Sequence, residues 1–347
     1  MKIKTVAYKG SKRKLLDDIE KLAEEVNSKT FFDGFSGTGI VSAHMRTKGY
    51  IVTANDLNYS SYLYGRVFLE GFDEDVVKIE IDKMNNLSGI EGWITENFSG
   101  TKERVIRGTG GQKQIRPLGY IKSNAKKIDH AREYVKSLNV EERDKNALIF
   151  AIILAADKVF NNSNDQKSCL KEWCSGSKKD IVFKSPTLIS GPTGNQMIGD
   201  VFDLEKIDSD FAYFDPPYTH GVLYPTCYHL NDSIASWTKD ELDYSYAIPR
   251  PKKLALRKNN KTAGGFYSKK TVAKSFRDIF SKCNSKRIVV SYSDAPRNSI
   301  SCEGLIELCK QYGDVTLKTK DHKICTQANS LKKISSELKE LFVIIDK

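Results

Sequence analysis

The stretch Thr30-Phe-Phe-Asp-Gly-Phe-Ser-Gly-Thr-Gly39 decides how this chain folds. Thr30-Phe-Phe-Asp33 reads as a short buried strand, and it runs straight into the loop Gly34-Phe-Ser-Gly-Thr-Gly39. Ile40 to Arg46 then begins a helix, and Tyr50-Ile-Val-Thr-Ala54 is a second strand ending at Asn55-Asp56. The unit is strand, glycine loop, helix, strand, with an acid at the end of the second strand. Glycines let the backbone approach a ligand, and the helix N-terminus offers free N–H groups, the context a nucleotide-type ligand needs. Taken alone, the loop equally fits a fold that uses glycine merely to turn tightly. Asp56, seventeen positions after Gly39, suits a carboxylate that accepts from ribose hydroxyls or one that caps the next helix.

Upstream, Leu15, Leu16, Ile19, Leu22, Ala23 and Val26 recur at helical spacing, so a helix follows the Tyr8-Lys-Gly-Ser-Lys12 turn. Residues from about 60 to 195 read as mainly helical with a basic glycine-bearing loop inside. Glu141 to Phe160 looks like a core helix, stopped by Asn161-Asn-Ser-Asn-Asp165. Strand signals return at Phe211-Ala-Tyr-Phe214, Arg287-Ile-Val-Val-Ser-Tyr292, Val315-Thr-Leu-Lys318 and Leu341-Phe-Val-Ile-Ile345. Ser268 to Ser281 and Cys302 to Tyr312 read as helices between them. The expected fold is α/β: one doubly wound, Rossmann-like sheet from residues 1–60 and 196–347, interrupted by a mainly helical lobe over 61–195.

A length of 347 residues fits one large catalytic domain with an inserted lobe, and 39% hydrophobic with 29% charged residues excludes a disordered chain. The longest apolar run, Ala147 to Ala156, is too short to span a membrane, and no signal peptide is expected from Met1-Lys-Ile-Lys-Thr5. Seven cysteines without a Cys-x-x-Cys pair read as reduced thiols in a cytoplasm. Cys169 and Cys174 have no nearby histidine, so no metal site is expected.

The net charge of +11 is concentrated. Lys102 to Lys127 carries eight Lys/Arg against Glu103, and Arg250 to Arg287 carries thirteen against Asp278. The rest of the chain is therefore net acidic. Two basic segments on an acidic body point to a polyanionic partner, because clustered Lys/Arg release condensed counterions. Both segments hold glycine-bearing loops suited to backbone or groove contacts. Arg104, Arg107, Lys113 and Arg116 in the first, with Arg250, Lys252 and Lys253 in the second, are the candidate nucleic-acid contacts.

The sharpest chemical signal is Asp215-Pro-Pro-Tyr218, directly after the strand Phe211 to Phe214. Two prolines stiffen the chain and remove two N–H donors, which leaves carbonyls and the Asp215 carboxylate as acceptors beside the flat face of Tyr218. An exocyclic amine has two hydrogens to donate and a ring to stack, so this set of groups matches it.

With these motifs in hand, the chain resembles the N6-adenine DNA methyltransferases that use S-adenosylmethionine and share the Dam-like motif order. Tyr8-Lys-Gly-Ser-Lys12, Phe32-Asp-Gly-Phe-Ser-Gly-Thr-Gly39, Asn55-Asp56, Gly199-Asp-Val-Phe202 and Asp215-Pro-Pro-Tyr218 occur in that order. Ala155-Ala-Asp-Lys-Val-Phe-Asn161, Tyr228-His-Leu230, Ile288-Val-Val-Ser-Tyr-Ser293 and Lys339-Glu-Leu-Phe-Val-Ile-Ile345 extend the likeness over nearly the whole chain. Gly34 departs from it, since relatives often have proline there.

The resemblance implies that Tyr8, Lys9 and Lys12 face the methionine end of the cofactor while Asp33, Phe35, Ser36, Gly37, Thr38 and Gly39 wrap it. Asp56 with Leu57 would hold the ribose, and Asp200, Val201 and Phe202 the cofactor's adenine. Asp215 and the Pro216 carbonyl would accept from N6 of a flipped adenine, with Pro217 stiffening the turn and Tyr218 stacking on the base. Adenine N6 is a poor nucleophile, and two out-of-plane acceptors favour a tetrahedral amine whose lone pair faces the sulfonium methyl. The expectation is a cytoplasmic, monomeric enzyme that methylates adenine in double-stranded DNA as the modification partner of a restriction endonuclease encoded nearby. The lobe 61–195 would read the target, helped by the basic loop 250–265. N4-cytosine methylation is the nearest alternative chemistry, and a non-catalytic DNA-binding regulator on the same fold is the alternative of another class.

Overall fold

Alternate residues of the central strands enter opposite cores, and this places helices on both faces of one sheet. Phe31 packs with Tyr213, Val289, Phe342 and Ile344 on one face. Phe32 packs with Ala212, Phe214, Ile288, Val290, Leu341, Val343 and Ile345 on the other. A strand's side chains alternate with period two, so a run apolar at every position is buried on both sides.

The computed structural model describes residues 3–105, 113–162, 165–167, 169–217, 224–246, 248–253, 265–294, 298–322 and 338–347. The first half contains α1 (Leu16–Glu24), β1 (Thr30–Asp33), α2 (Ile40–Thr47), β2 (Ile51–Asp56), α3 (Tyr59–Glu70), α4 (Glu74–Asn85) and α5 (Trp93–Phe98). There follow β3 (Thr101–Val105), β4 (Lys113–Pro117), α6 (Lys122–Ser137) and α7 (Glu142–Val159). The second half contains β5 (Asn195–Ile198), β6 (Ile207–Asp208), β7 (Phe211–Phe214), α8 (Tyr224–Cys227), α9 (His229–Ser236), β8 (Leu242–Asp243) and β9 (Arg250–Pro251). It closes with α10 (Val272–Lys282), β10 (Cys283–Asn284), β11 (Arg287–Ser293), α11 (Cys302–Cys309), β12 (Asp314–His322) and β13 (Leu338–Asp346).

The large sheet has strand order β12-β13-β11-β7-β1-β2-β5. Strands β11, β7, β1, β2 and β5 run parallel, and β13 lies antiparallel to both β11 and β12. From β1 the chain moves to β2 on one side and later returns to β7 on the other. That reversal makes the carboxyl ends of β1 and β7 a topological switch point, where open α/β sheets bind ligands. The register there is pinned at the opposite end of the strands. The Asp210 carboxylate accepts from the Lys29 and Thr30 N–H groups at 2.8 and 3.0 Å, and the Asp210 N–H donates to Thr30 Oγ1 at 2.7 Å.

The inserted region is mainly helical up to Val159, as expected, and the structure adds two features. Among the described residues no helix follows Val159 before β5, and part of the basic segment forms an antiparallel hairpin, β3 with β4, while Lys122, Lys126 and Lys127 lie on α6. Its helices are not walled off from the sheet either. Residues of α3, α6 and α7 share one continuous core with β1 and β2, so residue 60 marks no gap in packing. Helix α7 is buried on nearly every face from Asn146 to Ala156, as expected of a helix apolar all round.

Candidate active site

The glycine loop begins where β1 stops, and packing explains each turn. The Gly34 N–H donates to the Tyr213 carbonyl at 2.9 Å, and a Cβ on Gly34 would lie 2.5 Å from the Phe214 ring. Glycine is therefore required here, because a side chain would press on the Phe214 ring and proline would lack the donor as well. Gly39 has φ +70°, and a Cβ there would lie 2.9 Å from the Phe68 ring. This left-handed residue caps α2 and lets the loop turn back over the helix N-terminus.

The loop folds over an open cavity at the switch point, the concave setting in which small ligands are held. Four carboxylates reach its wall: Asp33, Asp56, Asp200 and Asp215. Asp33, at the end of β1, accepts from Ser42 Oγ at 2.6 Å. Burial pushes its carboxyl up to about 7, with Ser42 opposing and Asp215 and Asp56 adding to the rise. Asp56, at the end of β2, accepts from the Gly37 N–H at 2.8 Å and the Asn58 N–H at 2.9 Å. Burial lifts it to about 6 against those hydrogen bonds. Asp200 accepts from the Phe202 N–H at 3.2 Å and so shapes the turn Val201–Asp203, and burial raises it as well. Asp215 is pushed up to about 6 by burial, with Lys12 pulling the other way.

Aromatic rings close the rest of the cavity. Phe202 stacks on Phe266 at 5.4 Å, and Phe35 meets Phe266 edge-on at 5.4 Å. The Tyr8 ring stacks on Tyr228 at 4.3 Å and roofs Gly37, whose Cβ would lie 3.3 Å from it. Lys12, 6% exposed, sits between two acids, with Nζ 3.0 Å from Asp215 Oδ1 and 3.0 Å from Glu340 Oε1. The Lys9 side chain pairs with Asp165 instead, and its N–H donates to Tyr228 Oη at 2.8 Å. Ser36, Thr38, Leu57, Val201, Pro216 and Pro217 complete the wall.

The profile of D12 class N6 adenine-specific DNA methyltransferase sequences matches residues 8–293. The chain belongs to this family. Among curated relatives, Type II methyltransferase M.NlaIII of Neisseria lactamica is 28% identical over 300 residues, covering 83% of this chain and 83% of that one. Type II methyltransferase M.FokI of Planomicrobium okeanokoites is 27% identical, over 82% of this chain and 44% of that one. Modification methylase LlaI of Lactococcus lactis subsp. lactis is 23% identical, over 98% of this chain and 55% of that one. The chain thus spans about half the length of the last two. Like the family, it is an adenine-specific DNA methyltransferase with a Rossmann-like, mostly parallel sheet.

The described residues expected from the sequence to form the cofactor and target-base site all line one cavity at the sheet's carboxyl edge except Gly39, which caps α2 behind the loop; Tyr218 lies outside the described residues. Of the candidate DNA contacts in this methyltransferase, Arg104 falls on β3, and Lys113 and Arg116 fall on β4. Arg107 lies outside the described residues. Arg250 stacks over the Tyr246 ring at 4.0 Å. Lys252 pairs with Glu241, and Lys253 pairs with Asp240 at 2.5 Å, so part of that segment's charge is offset within the protein. Among the described residues no helix is long and apolar enough to cross a membrane.

Sequence reading did not single out Glu340, Asn55, Asn58, Tyr224, Phe266 or Tyr267 as site residues. The last five line the cavity, but their motifs carry no chemical signature. Asn55 was visible only as the neighbour of Asp56.

Proposed function

We propose that this methyltransferase takes the methyl group from S-adenosylmethionine and places it on N6 of an adenine flipped out of double-stranded DNA. One observation carries the reading: Asp56, the glycine loop and Asp215 open onto the same cavity at the switch point. The residues present fit that cofactor. Asn55 Oδ1 and Asn58 Oδ1 are buried without a hydrogen-bond partner on the cavity wall, and a buried orphan acceptor is costly until a ligand donates to it. Each Asp56 oxygen already accepts one N–H, and a carboxylate has about four acceptor sites, which leaves capacity for ribose hydroxyls. The wall's carboxylates suit a ligand that carries a sulfonium and an ammonium group.

When bound, the cofactor supplies an electrophilic methyl group. Asp56 with Asn58 would hold its ribose, Asp200 with Phe202 and Phe35 its adenine, and the turn from Tyr8 to Lys12 its methionine end. Asp215 and the Pro216 carbonyl accept from the target amine and turn its lone pair out of the ring plane. Pro217 fixes that geometry, and Tyr218 is assigned the base-stacking role. Flipping the base costs roughly a few kcal/mol, which Lys and Arg contacts to phosphates offset. Residues 61–195 are assigned target recognition, with Arg104, Arg107, Lys113 and Arg116 on its basic segment, and Arg250, Lys252 and Lys253 in support. The chain is read as a monomer that protects DNA from a companion restriction endonuclease. Digestion of methylated duplex DNA to nucleosides tests the reading: N6-methyladenine is the expected product, and N4-methylcytosine in its place would overturn it.

A further inference from the structure

Reversal of one strand delivers an unassigned acid to the catalytic edge. Because β13 runs against its neighbours, its first residues lie where β11 ends, and Glu340 is in register with Ser293, the last residue of β11. The next five residues, Leu341 to Ile345, are apolar and buried. Glu340 is itself 5% exposed. Its Oε1 accepts from Ser291 Oγ at 2.8 Å and from Lys12 Nζ at 3.0 Å, and the same ammonium lies 3.0 Å from Asp215 Oδ1.

A buried ion pair is seldom more stable than apolar side chains of similar volume, so fold stability alone gives little reason for charges here. Perturbed, desolvated charge clusters gather instead where chemistry is done. We propose that Glu340 is a positioning residue for methyl transfer: it draws the Lys12 ammonium from the far side, so that Lys12 anchors one oxygen of Asp215 without neutralising the carboxylate. The second oxygen then keeps its strength as an acceptor for the target amine. This rests on the reading of Asp215 as that acceptor.

Electrostatics decides what each group does. The groups facing Asp215 are Lys12 from the N-terminal turn, Glu340 from β13, Asp33 from β1 and Tyr213 from β7. Among these Lys12 alone favours the ionised form of Asp215, while Glu340 disfavours it. With Glu340 made neutral, Lys12 would lose one of the two acids it bridges and draw harder on Asp215. The carboxylate would be ionised more easily but bound more tightly, a weaker acceptor.

The experiment measures methyl transfer to duplex DNA at saturating cofactor across pH 5.5–8.5 for wild type, Glu340→Gln, Glu340→Asp, Ser291→Ala and Asp215→Ala. Glu340→Gln is expected to lower kcat by ~10- to 100-fold, the scale of losing a group that supports a functional residue. It should also shift the acidic limb of the kcat profile to lower pH, a change that a merely structural residue would not cause. Glu340→Asp keeps the charge and recovers part of kcat. Wild-type kcat and an unmoved limb in Glu340→Gln overturn the proposal. If thermal melting shows that Glu340→Gln does not fold, Ser291→Ala decides: it loosens Oε1 without altering charge, should lower kcat about threefold or more, and overturns the proposal if kcat is unchanged. Asp215→Ala acting like wild type would instead sink the underlying reading.

Discussion

Asp215 is where the fold meets the reaction, so its removal is the most informative change at the scale of a residue. Asp215→Ala should lower methyl transfer by ~10²-fold or more, the usual loss when one acceptor or donor at the reacting atoms goes. DNA affinity should stay within about threefold in a gel-shift titration, since phosphate contacts supply most of it. Gly39→Ala tests the loop: with φ +70° and a Cβ 2.9 Å from Phe68, the change should cost ~1–3 kcal/mol in denaturant unfolding. Asp33, Asp56 and Asp215 were legible in the sequence because each ends a strand or follows one, where a short motif fixes the direction of the side chain, whereas Asp200 came only from the family resemblance of Gly199-Asp-Val-Phe202. Glu340 was not. Nothing in Lys339-Glu-Leu-Phe-Val-Ile-Ile345 tells which way the strand runs, and only the antiparallel register puts its acid beside Lys12.

At the scale of elements, periodicity located the strands that are buried on both faces and the helices with an apolar stripe. It missed β5, because Asn195-Gln-Met-Ile198 has two apolar residues at an edge, too few for a strand signal. It also missed the hairpin of β3 and β4, where charge and glycine masked the pairing. The hairpin of β8 and β9 carries a direct test of the DNA-facing assignment. Tyr244 Oη on this hairpin bonds Asn97 Oδ1 of α5, which ties the basic segment to the inserted helices. Changing Arg250, Lys252 and Lys253 together to glutamate should weaken DNA binding and flatten the dependence of log Kd on log salt. Because Glu241 and Asp240 already offset two of the three charges, the slope should fall by less than about three phosphate contacts' worth. An unchanged slope removes this segment from the interface.

Across the whole molecule, the buried carboxyls give pH a predictable effect. Asp33 rises to about 7, and Asp56, Asp157 and Asp215 to about 6, from roughly 3.9 in an unfolded chain. Each binds its proton more readily when folded, so its contribution to stability is full below about pH 4 and is lost as pH rises through 6 to 7. His229, depressed to about 4 by burial, acts oppositely: its contribution is full above about 6.5 and is lost as pH falls from there through about 4. Four carboxyls outweigh one imidazole, so the melting temperature of the free protein should rise between pH 8 and pH 6 in calorimetry. A fall over that interval contradicts the assignment of these groups. Affinity for S-adenosylmethionine should run the other way. Protonation removes the negative charges that attract its sulfonium and ammonium, and titration calorimetry should show Kd increasing about tenfold from pH 8 to pH 6.

The most direct test incubates duplex DNA with S-adenosylmethionine and either the wild-type protein or Asp215→Ala, then separates the nucleosides by mass. N6-methyladenine should form with the wild type and form ~10²-fold or more slowly with Asp215→Ala. A product methylated elsewhere, or equal methylation by the two proteins, contradicts the account.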